Sequence, residues 1–471
     1  MTQETKDRIE GIEKQNETER KEHNIKENKM ASMPVGKLML GMAWPAMLSM
    51  FIQALYNIVD SIYVAKVSEA SLTAVSLAFP IQMLMISVAV GTGVGVNSLI
   101  ARRLGARRFE EANMAASHGF RIAFINWAVF ALFGFFFSKM YMAAYTDSPY
   151  ILEQGTAYLV IVTVCSLFVF VQVNTEKVLQ ATGNMLLPMA CSLTGAIINI
   201  ILGYILIFGH FGFPEMGVVG SAVATVVGQF ISMCMGLVLL LGKKHEVTVK
   251  IRGFKFSGQI TKDIYSVGFP SVVMQAIVSV MLFFVNGILA FSETAVAVLG
   301  IYFKLNSFIF LPIFGLNQGA MPIIGYNYGA KNRDRLMKTY KLGFKISLVI
   351  MCIGTLLFLL LPAQLLLLFD ASENMIIIGT PALRIISLCF LPAAFGIMTS
   401  TLFQATGHGM LSLWMSLIRQ LVGIVPLAFL LTSIGGLALV WWAWPLAEIL
   451  GTIYCIIFLN RLYKKEISTL S

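Results

Sequence analysis

Gln53, Asn57 and Asp60 fall at i, i+4 and i+7 of one apolar run, so on a helix they share a face. Tyr56 and Tyr63 flank that face. A carboxyl group among amides holds a proton when dehydrated and alone, and ionises when a cation is near. One site of this kind can carry either a proton or a cationic guest, not both. A second set follows similar spacing: Gln172, Glu176 and Gln180, with Asn174 beside them and Lys177 adjacent. Glu176 fits a second proton carrier and, equally, an ion-pair partner of Lys177 or another base. Asn199 is a lone amide suited to bonding between helices or to touching a ligand. Farther along, Gln275, Ser279 and Asn286 line one face without a charge, and no acidic residue occurs from Met375 to Leu446. The buried charges of that half are basic, Lys304, Arg384 and Arg419, while Glu448 follows Trp441, Trp442 and Trp444 and suits a structural or interfacial role. Proton and cation exchange is therefore assigned to Asp60 and Glu176. Gln53, Tyr56, Asn57, Asn174, Asn199, Gln275 and Asn286 are the candidates for lining a substrate cavity.

These residues gain their meaning from the medium around them. The chain of 471 residues is 57% hydrophobic and 12% charged, a balance that suits lipid and not water. A polar ionisable group in hydrocarbon costs roughly 2.5–3.5 kcal/mol even on lenient scales, which marks it as functional. Twelve apolar runs lie between Leu38 and Leu462; the fourth is expected over 155–182, the tenth over 374–406, and the last two over 409–433 and 435–460. Every other loop is basic. Arg102, Arg103, Arg107 and Arg108 follow the second run, six Lys/Arg lie between Lys243 and Lys262, six more between Lys331 and Lys345, and Arg461, Lys464 and Lys465 close the chain. Positive loops stay in the cytoplasm, so both termini are expected there, in a multi-pass protein of the cell membrane. The net charge of +10 is accounted for by orientation and calls for no nucleic-acid partner.

An internal repeat organises the runs. Gln180-Ala181-Thr182-Gly183 recurs as Gln404-Ala405-Thr406-Gly407, Gly105-Ala106 recurs as Gly329-Ala330, and Trp44-Pro45 is echoed by Phe269-Pro270. Six spans per repeat give both halves the same orientation, with a site between them near the midplane. The expected fold is all-α and integral to the membrane, with twelve transmembrane helices in two pseudo-symmetric six-helix bundles. Residues 1–36 form a cytoplasmic polar tail, 37–242 the first lobe, 243–262 a cytoplasmic linker, 263–462 the second lobe and 463–471 a cytoplasmic tail.

Several classes fall away. Gly91-Thr92-Gly93-Val94-Gly95 follows no strand and sits in an apolar run, so it is no phosphate loop, and no Walker motif is present. Paired catalytic carboxylates and HExxH are missing, and the five histidines are scattered, which argues against an enzyme. The six cysteines lie in apolar runs without CxxC spacing, so neither disulfides nor a metal site is implied.

Taken together, Leu55-Tyr56-Asn57-Ile58-Val59-Asp60, Phe79-Pro80, Gly93-Val94-Gly95-Val96-Asn97, Arg103-Leu104-Gly105 and the stretch from Glu176 to Asn184 resemble the MATE multidrug and toxic compound extrusion family. The pattern is most similar to the bacterial branch that includes the MepA and DinF proteins, and it covers about residues 36–462. The resemblance implies a secondary exporter of cationic amphipathic drugs, working as a monomer by alternating access. No cofactor is implied: a proton gradient drives export, with sodium as the alternative. Asp60 matches the family's functional aspartate and Asn199 a polar position of the fifth span. Gly203 departs from the pattern, since branch members often carry an aspartate there. The seventh and tenth spans also lack the acidic residues of sodium-coupled relatives, which favours protons. A lipid-linked saccharide flippase of the same superfamily is the other reading that Lys304, Arg384 and Arg419 keep open.

Overall fold

The computed structural model describes residues 28–242, 246–249 and 256–470, and every regular element among them is helical. A single turn, α1 (Lys29–Ser32), precedes the first lobe. That lobe comprises α2 (Val35–Val67), α3 (Glu69–Gly105), α4 (Phe109–Ala143), α5 (Pro149–Val164), α6 (Leu167–Ala181), α7 (Leu186–Phe208) and α8 (Gly217–Gly242). The second lobe comprises α9 (Gly258–Leu289), α10 (Glu293–Gly329), α11 (Arg333–Leu360), α12 (Pro362–Leu367), α13 (Glu373–Ser387), α14 (Phe390–Ala405), α15 (Gly409–Leu417), a π-helical stretch (Ile418–Ile424), α16 (Val425–Val440) and α17 (Ala443–Lys465). Ten spans are long and apolar enough to cross a bilayer unbroken, and two bent pairs bring the number to twelve.

The bent pairs are the fourth and tenth spans. α5 meets α6 at 44° and α13 meets α14 at 47°. The breaks fall at Cys165-Ser166 and Leu388-Cys389, one repeat length apart, and neither Gly nor Pro marks them. The eleventh and twelfth spans part close to the expected boundary: Gly435 and Gly436 leave helical geometry, Gly436 at φ +57°, and a short helical stretch to Val440 then leads through a turn at Trp441-Trp442 into α17.

The repeat extends to the capping chemistry. Ser68 and Ser292 accept hydrogen bonds from the backbone N–H groups of Ser71 and Ala295 at the starts of α3 and α10. Glu69 and Glu293 then place a carboxylate against each positive helix end.

Three apolar clusters show how the lobes relate. One lies inside the first lobe around Met85, Phe130, Tyr158 and Phe170, and one inside the second around Tyr302, Phe358, Phe390 and Trp441. The third straddles both, joining Leu38, Val96 and Leu99 to Ile264, Leu316 and Met398. It lies toward the end of the bundle that carries the basic loops. There α3 and α10 touch backbone to backbone: a Cβ on Gly105 would strike the Tyr326 carbonyl, and one on Gly329 would strike the Arg102 carbonyl. Ser98 Oγ donates across the lobes to the Gln404 carbonyl at 2.6 Å, and Arg103 Nη2 meets Asp263 Oδ2 at 3.2 Å. Each lobe is thus packed on itself and joined to its partner at the basic-loop end.

The expected polar tail, 1–36, ends sooner than its composition suggests. Residues 1–27 lie outside the described residues, but Asn28–Met33 is packed against both lobes. Met30 is fully buried. Asn28 Nδ2 donates to Glu246 Oε2 at 2.6 Å, while Arg335 Nη2 donates to the Met30 and Met33 carbonyls at 3.0 and 2.7 Å. Burial lifts the Glu246 carboxyl above its ordinary range and pulls the Lys29 ammonium below its own, each partly offset by the other's charge. Of the expected linker, 243–245 and 250–255 also lie outside the described residues. Val247 is buried, and α9 begins at Gly258.

Candidate functional site

Between the lobes lies a cavity of about 420 Å³, a volume suited to a small organic molecule. Met50, Met274, Met321, Met415, Phe314 and Val278 supply apolar wall. Methionine there is adaptable and polarisable, so the wall can fit many shapes. The polar lining converges from seven elements: Asn97 of α3, Lys177 and Gln180 of α6, Ser271 and Gln275 of α9, Asn317 and Gln318 of α10, Ser400, Thr401 and Gln404 of α14, Ser416 of α15, and Arg419 with Gln420 of the π-helical stretch. Gln180 and Gln404 are repeat partners, so the internal symmetry places the same residue on the cavity wall from each lobe.

Lys177 is 7% exposed. Its Nζ donates to Gln180 Oε1 at 3.0 Å and to Gln318 Oε1 at 2.9 Å, the second bond crossing between lobes. Arg419 Nη1 lies 3.5 Å from Glu448 Oε1. The π-helical stretch adds a residue to the turn and aims Arg419 and Gln420 at the cavity, a distortion often found at functional sites. Breaking this pair leaves an uncompensated buried charge. Glu448→Gln is therefore expected to lower stability by roughly 3 kcal/mol, near the bottom of the range for buried pairs because the contact is long. Thermal unfolding of the solubilised protein measures it, and Arg419→Met combined with Glu448→Met should recover most of the loss.

Asp60 sits elsewhere. It is half-buried within the first lobe, and Ser221 Oγ lies 2.9 and 3.0 Å from its two oxygens. No cation lies within ion-pair distance among the described residues. Tyr158, bonded at its hydroxyl by Gln82 Nε2 at 3.0 Å, and Tyr56 lie within electrostatic reach. Glu176 occupies a separate polar pocket of about 60 Å³ with Gln53, Ser192, Gln180 and Gln318. Its Oε1 accepts from Gln172 Nε2 at 3.1 Å and Ser192 Oγ at 3.0 Å. Gln180 and Gln318 line both this pocket and the large cavity.

The remaining sequence candidates scatter. Gln275 lines the large cavity and donates to the Ser87 carbonyl at 3.4 Å. Asn199 Nδ2 donates to Thr225 Oγ1 at 3.1 Å inside the first lobe. Asn174 is buried with its Oδ1 against Gly119 of α4. Asn57 and Asn286 are exposed and do not line the large cavity. Gly203 packs beside Tyr63. Lys304 stacks over the Phe369 ring at 5.7 Å, and Arg384 donates to the Leu359 carbonyl at 3.1 Å, so neither lines the cavity. Sequence reasoning passed over Lys177 as a cavity residue, and over Asn97, Gln318, Gln404 and Gln420. The echo of Gln180 in Gln404 carried a signal for one of them. The adjacent amides Asn317-Gln318 in an apolar run carried another.

Comparison with known proteins adds to the geometry. The family model described as MatE matches residues 45–205 and 270–452, one stretch in each lobe. The chain is 26% identical over 414 residues to the multidrug export protein MepA of Staphylococcus haemolyticus, covering 88% of this chain and 90% of the relative. It is 26% identical over 423 residues to that of Staphylococcus aureus, covering 88% and 91%. Among solved structures, the outward-facing conformation of a multidrug resistance MATE family transporter of the MOP superfamily superimposes with a TM-score of 0.85 at 28% identity, covering 93% of this chain and 99% of that one.

Proposed function

This chain belongs to the MatE family of multidrug transporters, and on that premise we propose that it exports amphipathic drugs, cationic ones included, in exchange for protons. The observation that carries the proton reading is the environment of Asp60: a carboxyl group in an apolar lobe, with a serine hydroxyl as its donor and no cationic side chain within ion-pair distance among the described residues. An ionised carboxylate so placed costs several kcal/mol when water withdraws, and a proton removes the charge. A cationic substrate nearby does the same. Binding the one therefore releases the other, which is the coupling an exchanger requires. Glu176, held by a glutamine amide and a serine hydroxyl beside the substrate cavity, is the second candidate for carrying a proton.

The cavity is sealed at the basic-loop end by Gly105, Gly329, Ser98–Gln404 and Arg103–Asp263. With those loops cytoplasmic, this is the outward-facing arrangement of an alternating-access cycle, in which two self-packed lobes rock about a central site. Protein reconstituted into vesicles tests the reading. A pH gradient imposed alone is expected to drive ethidium transport, and a sodium gradient imposed alone is not. Transport that follows sodium and ignores pH would transfer the coupling role to sodium.

A further inference from the structure

The cavity between the lobes has a charge that a purely cationic cargo does not explain. Among the described residues no carboxylate lines it, whereas Lys177 and Arg419 both do. Arg419 has Glu448 behind it, so that pair is formally neutral. Lys177 has no such partner: no carboxylate lies within ion-pair distance of it among the described residues. Its sequence neighbour Glu176 directs Oε1 to Gln172 and Ser192 instead.

The surroundings of Lys177 are arranged for a positive charge. Gln180 and Gln318 both turn their amide oxygens toward Nζ. Their amide nitrogens are occupied elsewhere, Gln180 Nε2 with Gln318 Oε1 at 3.4 Å and Gln318 Nε2 with the Met50 sulfur at 3.4 Å, which fixes the amides in that sense. An ammonium has three N–H donors and accepts nothing. Two are committed to neutral acceptors, and one remains for whatever enters the cavity. Glu176 acts on the ammonium only from beyond ion-pair distance, so a buried ammonium whose direct hydrogen bonds go to neutral groups keeps part of its desolvation cost, and an anion in contact with it removes that cost.

Resting on the exporter reading above, we propose that this cavity receives amphipathic acids, with the carboxylate or comparable anionic group of the substrate seated on Lys177 and its apolar body against Met274, Met321 and Phe314. Zwitterionic drugs bind there by the same end. Arg419 borders the same space with its charge balanced by Glu448, which leaves Lys177 as the seat for the anion. Asp60, in the first lobe, remains the coupling group, so the proton site and the acid site are separate.

Direct binding to the purified full-length chain tests this. The probes are dansylundecanoic acid, its uncharged methyl ester, and ethidium. The wild-type protein is expected to bind the acid at least ten times more tightly than the ester, since a charge-assisted hydrogen bond is worth about 1.5–3 kcal/mol. Lys177→Gln should erase that preference, and Lys177→Arg should retain it. Comparing acid with ester cancels partitioning into detergent, and the wild-type comparison needs no variant to fold. Equal affinity for acid and ester in the wild type would overturn the proposal, as would an unchanged preference in Lys177→Gln. Binding of ethidium without the acid defeats this inference alone, while binding of neither probe defeats the exporter reading beneath it.

Discussion

Asp60→Asn is expected to reduce pH-driven ethidium transport in reconstituted vesicles to the level of protein-free vesicles, while the protein still inserts and folds. Asparagine has nearly the same size as aspartate and still accepts a hydrogen bond from Ser221 through its amide oxygen. Packing around the position is preserved, so the change isolates charge. What it removes is the ability to exist in two protonation states. A permanently neutral side chain has nothing to exchange, and an inward proton gradient then exerts no force on the cycle. Because Asp60 is not among the residues of the interlobe cavity, the affinity of the solubilised protein for dansylundecanoic acid should be unaffected. Loss of transport with retained acid binding is the distinguishing pattern. Wild-type transport rates in Asp60→Asn would remove Asp60 from the mechanism.

The fold was legible because lipid imposes one strong rule: a spanning segment must be long, apolar and helical. Apolar runs from Leu38 onward, alternating with basic loops, supply the spans, and Gln-Ala-Thr-Gly at 180 and 404 supplies their twofold organisation. The repeat proves physical down to the caps at Ser68 and Ser292 and the breaks at Cys165-Ser166 and Leu388-Cys389. The site was less legible. Helical spacing tells which residues share a face but not what that face meets. Glu176 and Gln180 do share a pocket, as their spacing implies, yet Asn174, two residues earlier, turns to α4. Lys177 reads in sequence as the neighbour of an acid. In space its ammonium bonds Gln318, 141 residues on, a contact no local pattern encodes. Arg419 and Gln420 reach the cavity through a π-helical turn, which apolar periodicity does not foretell.

The repeat also makes a second large effect testable, at the seal. Gly105 ends α3 and Gly329 ends α10, and each admits the other helix's backbone into the space a side chain would fill. These are carbonyl contacts, and backbone cannot move aside as the tip of a long side chain can. Gly105→Val is therefore expected to hold the two helix ends apart, to prevent the basic-loop end from closing and to abolish transport. Ser98 reports the state of that seal, being fully buried with its hydroxyl on the Gln404 carbonyl. In a background lacking the six native cysteines, Ser98→Cys should resist a membrane-impermeant maleimide applied from the basic-loop side. It should react readily once Gly105→Val is added. Gly329→Val should behave alike, because the repeat gives the two glycines equivalent places in one contact. Combining the two should be no worse than either alone, since residues sharing a contact do not act additively. If Gly105→Val transports normally with Ser98→Cys still protected, the close approach of α3 and α10 is incidental packing. The lobes would then have to seal through the Arg103–Asp263 pair and the apolar cluster of Leu99, Ile264 and Leu316 instead.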